Sequence, residues 1–455
     1  MNLDSFFTPK TMAVFGVSSK NFQHPANVIF LKNFHRYPVR VYGLNPKGGT
    51  FQGERIHSSP AEIPEKIDLA VIATRADFVP GIIQDCITHG AGAAAVISGG
   101  FKETGRDDLQ DRIVAMAEEA KFPFIGPNCL GIYVPRTIDT FFLPIERMVK
   151  PDTGNVSFVS QSGGILVDQM IKFKNEHVGL AKAVSIGNKA LLNEVDLLDY
   201  LITDPATRVI AFYIEGFGKG QGRKFVERAY GCGKPVVVMK SGKSPSGQRA
   251  VSSHTASMAG DQASFSAALS QTGIIEADNE FELVSYCEAL SAYQRPIEGS
   301  IGVVTGSGGH GAVAVDACWN HGLSVPAIPE EEQTAFRNIL SPSVQAIASL
   351  GNPIDLTGSA TDDDFSNCTR ALAESGKVDC IIVLLLPYLP GVTMDLGARL
   401  SNISRELKIP LIAYVPHEEK YRMLTEGFEL NGVPVSPSIE GAVLMAQALR
   451  RNKPW

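Results

Sequence analysis

The stretch "GNVSFVSQSGG", residues 154–164, sets the class of this chain. A β-branched and aromatic run ends in hydroxyls and two glycines, the pattern of a buried strand that turns into a helix start. Ser162, Gly163 and Gly164 open that helix, and hydroxyls with free N–H groups at such a start form an anion site. The same three residues also read as an ordinary serine cap.

Upstream the same alternation has already run once. "TMAVFGV", "VRVYGLN", "IDLAVIAT", "GAAAVISGG" and "FPFIGPN" are short apolar runs separated by amphipathic stretches such as Pro80 to His89 and Asp107 to Ala120. Buried parallel strands joined by crossover helices have this form, so residues 1–132 read as a doubly wound sheet. Tyr133 to Asp152, proline-bearing and aperiodic, reads as a linker. A second unit follows over 151–295, with strands at Asn155–Val159, Ala181–Ser185, Val209–Ile214 and Pro235–Met239. After the polar break Gln294 to Ser300, a third unit over 300–455 opens with "IGVVTGSGG" and continues through "CIIVLLLP" and "PLIAYVP". The fold class is therefore α/β in three consecutive domains.

Bulk properties narrow the function. The chain has 455 residues, 44% hydrophobic and 20% charged, with a net charge of −7 and no long run of one sign. That balance favours neither nucleic acid nor a membrane surface as partner. The apolar runs fall far short of the roughly 20 residues needed to span a bilayer. The start "MNLDSFFTPK" lacks the pattern of a signal peptide, which predicts a cytoplasmic protein. Seven cysteines without a C-x-x-C pair predict reduced structural thiols, and the nine histidines show no paired ligand spacing, so no metal site is expected.

Several strand-end loops carry candidate chemistry. "GVSSK" places Gly16, Ser18 and Lys20 after the first strand, where a phosphate can approach a helix start, although a tight turn explains the glycine equally. The G-x-G-x-x-G pattern is absent, which argues against a nicotinamide-dependent oxidoreductase. "LNPKGG" sets Asn45, Pro46 and Lys47 beside the first loop, either as a phosphate contact or as a solvated turn. In "FYIEGF" Glu215 ends a hydrophobic strand, where it either orients an imidazole or is simply solvated. His254, in "SSHTASMAG", lies in the small-residue segment Lys240 to Asp261, which reads as a mobile loop. A neutral imidazole there is either an exposed loop residue or a nucleophile toward phosphorus. In the third unit "TGSGGHG" and "GNPIDLTG", with Asp355, read as further strand-end loops.

Together and in this order, "GVSSK", "LNPKGG", "IDLAVIAT", "VISGGFKETG", "IGPNCLGI", "SQSGG", "SIGNKALLNEVDLLDYL", "FYIEGF", "SSHTASMAG" and "GNPIDLTG" resemble the alpha subunit of the NDP-forming acyl-CoA synthetases. This group includes ADP-forming acetate–CoA ligase and is related to succinyl-CoA synthetase. The resemblance implies an N-terminal Rossmann-like CoA-binding domain followed by two flavodoxin-like domains. It implies that His254 is phosphorylated transiently, that Glu215 is its acidic partner, and that Ser162, Gly163 and Gly164 receive the phosphate. It further implies that coenzyme A is held through Gly16, Ser18, Lys20, Asn45, Pro46, Lys47, Ser98, Gly99 and Asn128. The implied reaction interconverts a carboxylic acid, CoA and ATP with acyl-CoA, ADP and phosphate. No ATP-grasp region is recognisable, so ATP or ADP with Mg²⁺ is expected on a separate ATP-grasp beta subunit in a hetero-oligomer. Two departures stand out: Ala256 and Met258 replace a usual glycine and leucine, and Thr74-Arg75 replaces a small residue and proline. A non-catalytic CoA or acyl-CoA binding regulator of the same fold is the competing reading, which His254, Glu215 and the serine–glycine helix start together oppose. The acyl group is not legible.

Overall fold

A computed structural model of the chain describes residues 3–255, 262–416 and 419–453; the side chains of 252–255 lie outside that description. The described chain forms two compact units, within residues 3–278 and 279–453.

The first unit contains two sheets. In the first, β1 (Thr11–Phe15), β2 (Arg40–Leu44), β3 (Gly49–Phe51), β4 (Glu54–His57), β5 (Leu69–Ile72), β6 (Ala93–Val96) and β7 (Phe124–Ile125) lie in the order β3-β4-β2-β1-β5-β6-β7. Without the antiparallel strand β3, this is the doubly wound 3-2-1-4-5-6 arrangement of dinucleotide-binding sheets. β1, β5 and β6 are wholly buried, as their uninterrupted apolar runs require. The order reverses between β1 and β5, which opens a crevice at their carboxyl ends.

The second sheet comprises β8 (Gly131–Val134), β9 (Ile138–Asp139), β10 (Thr153–Ser160), β11 (Leu180–Ser185), β12 (Val209–Ile214), β13 (Val236–Lys240) and β14 (Ile275–Ala277), in the order β14-β13-β12-β10-β11-β8-β9. Its five parallel strands follow the flavodoxin order, extended by the hairpin β8–β9. That hairpin occupies part of the segment read as a linker. Its strands are too short to show a period, and its anchorage is tertiary. Asp139 is fully buried against the Lys32 ammonium at 2.9 Å, also pairs with Lys150, and its backbone exchanges two hydrogen bonds with Asn33 at 2.7 and 3.0 Å.

The two sheets are joined by backbone. Asn188 N–H donates to Pro127 O at 2.9 Å, Ala190 N–H to Gly126 O at 3.0 Å, and Leu130 N–H to the Ser185 hydroxyl at 3.0 Å. Gly187, at φ +54°, sits so close that a Cβ there would lie 2.4 Å from the carbonyl oxygens of both Pro127 and Asn128.

In the second compact unit β15 (Ile301–Thr305), β16 (Ile354–Asp355), β17 (Cys380–Leu384), β18 (Leu411–Tyr414) and β19 (Val435–Ser436) are parallel in the order β16-β15-β17-β18-β19, again flavodoxin-like. Helix Glu280–Ala292, which the sequence reading grouped with the second domain, packs in this unit. There Glu288 accepts from Val435 N–H at 2.9 Å and the Tyr286 hydroxyl bonds Gln447 at 2.6 Å. Among the described residues no helix is long and apolar enough to cross a membrane.

Gly187→Ala tests the seam between the first two sheets. The left-handed backbone alone costs about 1–2 kcal/mol for an L-residue, and the carbonyl contacts add to it. The expected outcome is a fall of at least that size in unfolding free energy by denaturant titration.

Candidate functional site

A cleft of about 740 Å³ opens in the first unit where the carboxyl edges of both sheets meet. Ser98, Gly99 and Asn128 line it from the first sheet, and Ser162, Gly163 and Gly164 from the second.

Ser162 caps helix Gly163–Asn175 and its hydroxyl accepts from Ile165 N–H at 3.4 Å. The N–H groups of Gly163 and Gly164 make no hydrogen bond with another described residue. Both face the cleft at the positive end of the helix, the arrangement that receives an anion. Gln161, beside them, accepts from Glu215 N–H at 2.9 Å and from Gly216 N–H at 3.4 Å. This bridge ties the end of β10 to the end of β12, the two strands that flank the switch point of the second sheet. Glu215 is 4% exposed, so the strand-end acid is enclosed rather than solvated.

His254 falls in helix Pro245–Thr255, and its side chain lies outside the described residues. The helix corrects the mobile-loop expectation over residues 245–255. Ser244 accepts from Gly247 N–H at 3.0 Å and its carbonyl from Gln248 N–H at 2.8 Å, so a serine cap followed by proline starts the helix. That signal was present in "KSPSGQ".

The first-sheet loops divide into two groups. Ser98, Gly99 and Asn128 enter the cleft, whereas Gly16, Ser18, Lys20, Asn45, Pro46 and Lys47 form a ledge outside its lining. Gly16, at φ +105°, is forced to be glycine, since a Cβ would lie 2.3 Å from Ala73 O. The sequence reading placed a helix start directly after this turn; instead helix Pro25–Arg36 begins nine residues later, capped by His24. Ser18 is occupied in the intervening loop, where its N–H and C=O both bond the Asn27 side chain at 2.7 Å. Asn45 bonds Val17 O at 3.0 Å and so holds the two loops together, with Lys20 and Lys47 exposed beside them. The tight contact of Gly16 with Ala73 connects this cationic ledge to Thr74 and Ser98 at the cleft mouth.

Asn128 is oriented by a chain of hydrogen bonds that sequence reasoning missed. Its amide donates to Asn188 at 3.3 Å, and Asn188 donates to Glu103 at 2.5 Å and to Gln110 at 3.1 Å. Glu103 also accepts from Gly100 N–H at 2.6 Å and Phe101 N–H at 3.2 Å. Burial acts to raise this carboxyl, but the bonds from Asn188 and the two N–H groups outweigh it and hold it below the usual carboxylate range. Asn188 and Glu103 stand within "SIGNK" and "FKETG", so the clue lay in motifs noted only for their pattern. Cys129 also lines the cleft, but burial pushes its thiol up to about 12, which keeps it a protonated packing group. Asp355 lies in the other unit and accepts from Thr357 N–H at 2.9 Å, closing its own turn.

Three family descriptions match successive parts of the chain. They are a CoA binding domain over residues 10–135, a succinyl-CoA ligase like flavodoxin domain over 153–290, and a ligase-CoA domain over 301–408. This succession defines an α/β protein of the CoA-ligase class. Acetate–CoA ligase [ADP-forming] I subunit alpha of Pyrococcus furiosus is 31% identical over 100% of this chain and 98% of its own length. Acetate–CoA ligase [ADP-forming] I of Archaeoglobus fulgidus is 36% identical over 85% of this chain, and the match spans only 55% of that longer protein. The solved dinucleotide-forming acetyl-coenzyme A synthetase 1 of Ca. Korarchaeum cryptofilum, in complex with phosphate and ADP, superposes with a TM-score of 0.89. It is 31% identical and covers 99% of this chain and 97% of its own. The chain belongs to the ADP-forming acetate–CoA ligase family.

Because the folded Glu103 carboxyl is lowered, its contribution to stability is fully present above the ordinary carboxyl value of about 4.3. It is lost as pH falls through the lower folded value. Glu103→Gln is therefore expected to be less stable than the parent at neutral pH, with the gap closing in acid. Denaturant titrations across that range measure it.

Proposed function

We propose that this chain is the alpha part of an acid–CoA ligase that interconverts carboxylic acid, CoA and ATP with acyl-CoA, ADP and phosphate. The observation that carries this reading is the shared cleft, in which an anion-receiving helix start faces the loop ends of a CoA-type sheet. In the direction of acyl-CoA synthesis, His254 takes the phosphoryl group of ATP and passes it to the acid, and CoA thiolysis of the acyl phosphate releases phosphate.

Each step asks something definite of this chain. The Ser162 hydroxyl and the N–H groups of Gly163 and Gly164 hold the phosphoryl oxygens in transit, a fixed dipole that needs no reorganisation as charge builds. Glu215, enclosed and braced through Gln161, sets the tautomer of His254 and stabilises its charged form. The exposed amines of Lys20 and Lys47 suit the phosphates of CoA, with Gly16, Ser18, Asn45 and Pro46 shaping the ledge. Ser98, Gly99 and Asn128 then receive the pantetheine end where it enters the cleft. The residues present thus fit CoA. Nucleotide and Mg²⁺ belong to an ATP-grasp beta subunit, a division supported by the P. furiosus relative, which is itself named a subunit alpha. The site of action is the cytoplasm, supported by seven free cysteines, six of them buried.

Incubation with radiolabelled phosphate and a panel of acyl-CoAs is expected to place acid-labile, base-stable label on the parent chain and none on His254→Ala. A chain that binds CoA but takes no label, even after an ATP-grasp subunit is supplied, is a regulator and not a ligase.

A further inference from the structure

Independently of the ligase reading, we infer that the second compact unit binds an organic phosphate, a small molecule with at least two negative charges on an apolar body. The site is a cavity of about 360 Å³ at the amino ends of β18 and β19, the edge of the sheet opposite the loop of Asp355. That volume falls in the range of small-molecule sites. Arg295, Arg405 and Lys408 line it, and no aspartate or glutamate does. In a chain of net charge −7, three cations around one cavity are a local reversal of sign.

The positive charge is aimed but not cancelled. Arg405 donates to the amide oxygens of Asn431 at 2.6 Å and Asn402 at 3.1 Å, and Asn431 is itself fixed by donating to Gly427 O at 2.8 Å. Arg295 and Lys408, both exposed, pair with no acid among the described residues. Other surface arginines of this unit are neutralised, Arg370 by Glu406 and Arg422 by Glu426, each at 2.7 Å. The helices Glu280–Ala292, Leu396–Leu407 and Arg422–Glu429 end at the cavity and bring negative dipole ends to it. At roughly half a charge each, three such ends offset only about one and a half of the three positive charges, and the surplus is left for an anion. The floor is apolar, formed by the buried Ile409, Pro410 and Val433. The hydroxyls bordering it are spent on backbone: Tyr293 donates to Leu411 O at 2.8 Å, Ser401 to Gly397 O at 2.7 Å and Ser404 to Ile409 O at 2.7 Å. The cations are therefore the polar anchors, and a ligand sets its phosphate at the rim and its apolar part on the floor. A bare anion would leave that floor in water.

Calorimetric titration of the full chain tests this, with Mg²⁺-free ADP as the probe and CoA present at saturation so that the ledge and cleft of the first unit are occupied. ADP is expected to bind, adenosine not to bind, and pyrophosphate to bind more weakly than ADP. Arg295→Ala and, independently, Arg405→Ala are expected to weaken ADP at least about tenfold, with the affinity for CoA unchanged. No binding of ADP, equal binding by the parent and both variants, or adenosine or pyrophosphate binding as tightly as ADP would overturn the inference. A parent chain that fails to bind CoA counts against the ligase reading, whereas ADP binding that depends on the two arginines still upholds this site.

Discussion

The function proposed for this chain depends on the backbone contact at Gly187. Two sheets that each satisfy their own hydrogen bonds have no general reason to meet at their carboxyl edges, and here they do so through carbonyl groups that leave no room for a Cβ. The N–H groups of Asn188 and Ala190 complete the joint by donating to Pro127 and Gly126. Such a contact is short-range and directional, so it fixes the separation of the sheets more tightly than apolar packing would. The helix start at Ser162 and the loop ending in Asn128 thereby share one space.

Charge is handled in two distinct ways around that space. The cleft presents oriented N–H groups and neutral amides, with one charged lining residue among those described. Backbone dipoles can hold a phosphoryl group and release it, which suits a relay. Formal charges are placed instead where they fasten the structure. Lys32 and Lys150 converge on Asp139 beneath the cleft wall, and Lys182 pairs with Asp204 at 2.5 Å in the second sheet. Cutting either partner out of these enclosed pairs would strand the other, so they specify geometry more than they add stability.

Much of this was legible in the chain itself, for reasons that particular residues make plain. The uninterrupted apolar runs of β5 and β12, and the nearly unbroken one of β1, gave away buried parallel strands, because a strand covered on both faces shows no alternation. Crossover connections leave few arrangements of such strands, and the folded sheets show which of them the chain uses. The hairpin β8–β9 was not legible; its strands of four and two residues are held by the buried Lys32 and by Asn33, more than a hundred positions away. The helix carrying His254 was hidden by its small residues, although the Ser244-Pro245 pair announced its start.

The sequence by itself determined the class of fold and the place of the serine-capped helix start at Ser162, because strand burial and helix capping are local properties of residue type and spacing. It also named the candidate nucleophile, His254, through a motif that no local packing rule explains. Only the tertiary structure decided which strand-end loops enter the cleft and which remain on the ledge outside it. It alone set Glu103 and Asn188 behind Asn128, and Phe142 beside the helix start. Those relations depend on where two independently formed sheets come to rest, and that position is settled by contacts between residues 55 to 85 places apart along the chain.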